Sequence, residues 1–190
     1  PDDASYGGVE EVSLKFAIQK SRNIPLIRAA QEVGFNELER RLIKYFPELL
    51  IPLKEYPAQL LGAIELSLSD LSGAYLKFFH EQCRNFKQGK SKYEESLLYH
   101  LAQADETTIS RVAGKVIKQS LIFGKTGTTN KGLDNWYIAF DGQNFYAIWF
   151  GVDSAREGKD LKLYGSNSAF KIFQNFIQYR GKQVSEFFCR

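Results

Sequence analysis

The chain changes its hydrophobic periodicity once, after Leu121, and that change restricts the fold more than any other feature. Up to that point apolar residues recur mostly at helical intervals. Beyond it, residues 135–140 and 145–152 read as two strands joined by Asp141-Gly142-Gln143-Asn144, a strong hairpin signal. Trp136, Ile138 and Phe140 alternate with Tyr137 and Ala139, so both faces of the first strand are apolar. An antiparallel strand with one wet face alternates polar and apolar residues. The pattern therefore predicts a sheet covered on both sides by helices. A closing helix over about 167–179 carries Ala169, Ile172, Phe173, Phe176 and Ile177 as its stripe. Helices, then a hairpin, then a packing helix make an α+β fold with an antiparallel sheet flanked by helices, not a βαβ alternation.

The helical part has its own punctuation. Val12, Leu14, Phe16 and Ala17 predict a first helix, which halts at Ser21-Arg22-Asn23-Ile24-Pro25 because Pro25 disfavours helical backbone at Ile24. A second helix is expected from Pro25 to Gly34, and a third, capped by Asn36, through Tyr45. Residues 47–57 hold three prolines and read as irregular. Ser67-Leu68-Ser69-Asp70 resembles a capping box, and the helix after it holds Leu71, Ala74, Tyr75, Phe78 and Phe79. Residues 80–92 read as a polar loop, and 93–104 and 106–118 as two more helices.

Composition excludes little but places the chain. With 190 residues, 44% of them hydrophobic and 15 of them Phe, it suits one globular domain over 1–190 with an aromatic core. The formal charge of +3 and the scattered Lys and Arg argue against a nucleic-acid surface, and the basic run at 84–92 reads as a solvated loop. Cys83 and Cys189 match no zinc or redox spacing. A disulfide between them is open in an oxidising compartment, and unpaired thiols are the favoured reading. No apolar run approaches the roughly 18–20 residues that span a bilayer. The chain starts at Pro1 and has no methionine, so it is expected to be part of a longer protein, with anchoring segments upstream.

Two short segments have chemical potential. One is Lys125-Thr126-Gly127-Thr128, entering a strand; the other is Ser21-Arg22-Asn23, at a helix break. On an edge strand, the Lys125 ammonium and the Thr126 hydroxyl can grip a carboxylate. Gly127 lets an extended peptide lie against the backbone, and the next N–H can stabilise an oxyanion. Ser21 and Asn23 can relay a proton and bind a substrate amide. Alone, the first segment also fits a polar turn and the second a helix cap.

Their context matches a family. Residues 8–34 resemble the penicillin-binding proteins, whose Ser-x-Asn motif lies between two helices and is followed by proline, an apolar helix and glycine. The stretch from Leu61-Gly62 through Ser67 to Ala74-Tyr75 resembles the family's helix entry between its second and third motifs. Residues 124–130, with Asp134-x-Trp136 and the hairpin, resemble the third motif of bifunctional, class A members, and Tyr164-Gly165 with the last helix resembles the family's end. The family's motifs are Ser-x-x-Lys, Ser-x-Asn and Lys-Thr-Gly.

The resemblance implies a β-lactamase/transpeptidase-like α+β fold, here incomplete, and a peptidoglycan D,D-transpeptidase that cross-links stem peptides through an acyl-enzyme. It implies that Ser21, Asn23 and Lys125 are catalytic. Ser21 relays a proton to the departing D-alanine, Asn23 binds the donor-stem backbone, and Lys125 holds the second-motif serine electrostatically. Thr126, Gly127 and Thr128 bind substrate, the two hydroxyls taking the terminal carboxylate of D-Ala-D-Ala. β-Lactams are implied ligands, with no cofactor and no metal. The implied place is the outer face of a bacterial inner membrane, with an anchor and a glycosyltransferase domain upstream.

The chain departs from the pattern in two ways. No Ser-x-x-Lys precedes Ser21, the one match being Ser168-Ala169-Phe170-Lys171 in the last helix, and the Gly-Thr element usual before the third motif is lacking. The nucleophile is therefore expected in a missing upstream half of the domain. The alternative is a catalytically inactive module of the same fold that binds or scaffolds. A nucleotide-binding loop at Gly124-Lys125-Thr126 is disfavoured, because position 119 is Gln119 rather than glycine and a strand, not a helix, follows.

Overall fold

The computed structural model describes residues 12–47, 56–152, 162–180 and 189. They fall into two compact units, 1–82 and 83–190.

The first unit is helical. Helix α1 (Leu14–Gln19) is capped by Ser13, whose Oγ accepts from the Phe16 N–H at 3.2 Å. The break that follows is narrower than the expected 21–24: α2 (Asn23–Val33) already includes Ile24 and Pro25. Pro25 is tolerated there because first-turn N–H groups have no intrahelical partner to lose. Gly34, at φ 91°, closes α2, and α3 (Phe35–Leu42) starts at once, so Asn36 lies inside its first turn rather than capping it. Most of the proline-rich stretch lies outside the described residues, and a short 3-10 turn (Pro57–Leu61) follows it.

Helix α4 (Leu68–Lys87) starts at the predicted box: Ser67 Oγ accepts from the Asp70 N–H at 3.1 Å and donates to Asp70 Oδ2 at 2.6 Å. It overruns the expected loop at 80–92 and ends only at Lys87. Cys83 and Phe86 carry on the helical spacing set by Phe79, and Arg84 and Lys87 in the last turn complement the helix dipole.

In the second unit the two helices expected over 93–118 are mostly shorter turns. Helix α5 (Leu97–Ala102) is capped by Ser96, and α6 (Lys115–Lys118) is a single turn. Between them Thr107 Oγ1 donates to Ala104 O at 3.0 Å. That side-chain bond offers the backbone an alternative to the helix, in a β-branched Thr107-Thr108-Ile109 run.

Strands β1 (Phe123–Thr128), β2 (Asp134–Phe140) and β3 (Phe145–Gly151) form an antiparallel sheet in that order. Thr126 pairs with Tyr137, and Tyr137 with Ile148. The hairpin closes as expected, with Asp141 Oδ1 accepting from the N–H groups of Gln143 and Asn144 and Gly142 at φ 92°. Helix α7 (Ala169–Arg180) packs on β2 and β3, and α5 lies against β1.

The core joins Tyr137 and Ala139 to Ile109, Ile117 and Ile122 and to Ala169, Phe170, Phe173 and Ile177. The Tyr137 ring centroid lies 5.1 Å from those of both Phe170 and Phe173. The buried stripe of α7 is thus rotated from the expected one: Phe170 is inside, while Ile172 and Phe176 are 44% and 43% exposed. Two-sided cover holds for β2, whose last four residues are buried. It fails for β3, where Trp149 and Phe150 are exposed.

The structure corrects one covalent expectation. Cys83 and Cys189 are not free thiols but a disulfide, with Cα atoms 5.2 Å apart across 106 residues of sequence. A bridge that long leaves no local spacing to read. No helix among the described residues is long and apolar enough to cross a membrane.

Candidate functional site

Strand β1 carries four of the six predicted site residues along the outer edge of the sheet. The Thr129 N–H donates to Asp134 O at 3.0 Å, which sets the phase of the ladder. By antiparallel alternation, residues 123, 125 and 127 direct their backbone groups at β2. Gly124, Thr126 and Thr128 direct theirs at the outer edge, where no strand among the described residues pairs with them.

The side chains sort by face. Lys125 shares a face with Ile138, its partner across the ladder, and Thr126 and Thr128 share the other with Tyr137. Lys125 nonetheless returns to the edge, because its Nζ donates to Thr126 O at 3.0 Å. The residue keeps part of its surface in solvent, yet protein surrounds its amine. Burial therefore pulls its pKa from 10.5 to about 8. A desolvated ammonium with that pKa gains more from an incoming anion than a surface lysine does.

The two threonines are each held by a residue distant in sequence. Thr126 Oγ1 lies 2.9 Å from Thr108 Oγ1, and Thr128 Oγ1 accepts from the Gly165 N–H at 2.9 Å. Gly165 sits directly on the strand: a Cβ there would lie 2.7 Å from both Gly127 O and Trp136 O. Gly124 has a similar reason, since a Cβ would overlap the Tyr137 hydroxyl. At Gly127 a Cβ would come within 3.3 Å of the Trp136 Cβ, so glycine keeps the backbone bare opposite that ring.

The far end of β1 is clasped. Thr129 Oγ1 donates to Asp134 Oδ2 at 3.1 Å and accepts from the Asp134 N–H at 2.9 Å, while Trp149 Nε1 donates to Asp134 Oδ1 at 3.0 Å.

The remaining two predicted residues lie in the first unit. Ser21 occupies the bend between α1 and α2 at φ 53°, its N–H donating to Ile18 O at 3.2 Å. A serine at positive φ is uncommon and costs about 1 kcal/mol or more, a strain that clusters at functional positions. Asn23 is the first residue of α2 and is half-buried.

Within the second unit, Lys125, Thr126, Gly127 and Thr128 share one strand with Thr108 and Gly165 beside it. Sequence reasoning missed Thr108, whose contact spans 18 residues and has no local signature. It noticed Gly165 only as part of Tyr164-Gly165.

No protein-family profile matches the chain. It is 24% identical to penicillin-binding protein 1B of Buchnera aphidicola subsp. Baizongia pistaciae over 94% of its own length and 27% of that protein. It is 26% identical to penicillin-binding protein 1B of Escherichia coli over 93% of its length and 23% of that protein. It is also 26% identical to penicillin-binding protein 1A of Rickettsia conorii over 88% of its length and 26% of that protein. Along most of its length the chain is therefore a relative of penicillin-binding proteins 1A and 1B, and it spans about a quarter of the length of the curated relatives it matches.

Proposed function

We propose that residues 1–190 are the C-terminal part of a peptidoglycan D,D-transpeptidase domain, in which the outer edge of β1 receives the D-Ala-D-Ala end of a stem peptide. The observation that carries this reading is that one edge strand holds both the desolvated Lys125 amine, folded back onto Thr126 O at the outer edge, and the Thr126 and Thr128 hydroxyls on its other face. Such a set suits an anion bound beside an extended peptide backbone.

In this reading a serine outside the chain attacks the carbonyl carbon of the penultimate D-alanine. The Thr128 N–H stabilises the developing oxyanion. The bond to the terminal D-alanine breaks, and Ser21 passes the departing amine its proton. Asn23 holds the donor-stem backbone, and the terminal carboxylate rests on Lys125, Thr126 and Thr128. The amine of a neighbouring stem then takes the acyl group and frees the serine.

Ser168, the serine of the one Ser-x-x-Lys run, is a poor nucleophile. It is buried, and its Oγ donates to Tyr164 O at 2.6 Å in the turn before α7. A disulfide suits the oxidising outer side of a bacterial inner membrane. An upstream anchor and glycosyltransferase domain complete the proposed parent.

The test is to label the intact protein with a fluorescent penicillin. One denaturation-resistant adduct, blocked by unlabelled penicillin, is expected. A folded protein that takes no label rejects the transpeptidase and leaves a non-catalytic binding module.

A further inference from the structure

We infer that Thr108 is a positioning residue that makes the Thr126 hydroxyl a dedicated donor to the ligand carboxylate, an inference that rests on the function proposed above. A threonine hydroxyl has one hydrogen to give and lone pairs to receive with. A carboxylate only accepts, so Thr126 must donate to it. The contact with Thr108 Oγ1 at 2.9 Å then needs Thr108 as the donor.

Thr128 shows the same arrangement with no ambiguity. Its Oγ1 accepts from the Gly165 N–H at 2.9 Å, a backbone group that can only donate, so its own hydrogen is directed elsewhere. The two hydroxyls leave one face of β1 two residues apart, roughly 7 Å along the strand. Each has a donor behind it, one supplied by a backbone amide and the other by Thr108.

The turn that presents Thr108 is built to hold position. Thr107 is buried, with its hydroxyl donating to Ala104 O, and Ile109 and Ala113 are buried in the core. Thr108 itself is exposed, so its side chain contributes little packing and its contact with Thr126 reaches solvent where a ligand arrives. A residue there with a methyl but no hydroxyl hydrogen would leave Thr126 without its donor.

The test compares β-lactam acylation of the intact protein with two probes: a penicillin carrying its free carboxylate, and the methyl ester of the same penicillin. Thr108→Val is expected to lower the acylation rate with the carboxylate probe about three- to tenfold, in line with the loss of one neutral hydroxyl–hydroxyl hydrogen bond behind Thr126. The ester should change less than twofold, and Thr108→Ser should restore the carboxylate rate. In a Thr126→Val background the effect of Thr108→Val should vanish, which reads out the pair even if one variant is less stable. Equal losses with both probes, no loss with either, or an undiminished effect beside Thr126→Val would overturn the role of Thr108. A wild-type protein that reacts with neither probe would instead remove the transpeptidase reading, and this inference with it.

Discussion

Replacing Lys125 with alanine is expected to slow penicillin acylation of the intact protein by about a hundred- to a thousandfold, the usual loss when a preorganised electrostatic partner is removed. The melting temperature at neutral pH should stay level or rise, because a desolvated ammonium opposes folding. The folded-state pKa of about 8 lies below the ordinary 10.5. The burial penalty on the charged amine is therefore present in full below about pH 8. It is relieved as pH climbs towards 10.5, and the Lys125 contribution to stability rises over that window. Anion binding runs the other way. The uncharged amine attracts no carboxylate, so affinity for a carboxylate-bearing β-lactam should fall about tenfold per pH unit above pH 8. The alanine variant should lack that fall. Rates measured from pH 6.5 to 10 with both proteins check this, and parallel profiles would show that Lys125 is not the anion's partner.

Loss of the Cys83–Cys189 bridge should have the largest effect on stability. It closes a loop of 106 residues, for which chain entropy alone gives roughly 4–5 kcal/mol, and native disulfides usually contribute about 2–5 kcal/mol. Cys83→Ser should lower the melting temperature of the intact protein by roughly 5–15 °C, given the few degrees per kcal/mol typical of this size. Cys189→Ser should match it, and reductant should destabilise the wild type but neither variant. A wild-type melt that ignores reductant would mean that the bridge adds nothing.

The parts of the fold that were legible in the sequence are those with local causes. The hairpin rests on Asp141 and Gly142, the start of α4 on Ser67 and Asp70, and the doubly apolar β2 on uninterrupted hydrophobic residues. The misread parts depend on competition or distance. Residues 80–87 look polar yet remain helical because Cys83 and Phe86 sit in phase with Phe79. Residues 107–112 have helical spacing, but the Thr107 hydroxyl donates to the Ala104 carbonyl instead.

The rotation of α7 follows from its contacts. Phe170 meets Tyr137 edge to face, and that contact outweighs the stripe symmetry that favoured Ile172 and Phe176. The candidate site divides the same way. Lys125 to Thr128 form a contiguous motif, whereas Thr108, Gly165 and the Cys83–Cys189 pair act through space, across 18, 37 and 106 residues.

Whether the outer edge of β1 receives the ligand is tested most directly by hydrogen–deuterium exchange on the intact protein, with and without saturating penicillin. Slower exchange is expected in the peptide spanning 123–128 once the adduct has formed, because the Thr126 and Thr128 amides lie on that edge. A complete adduct with exchange over 123–128 unchanged would contradict it.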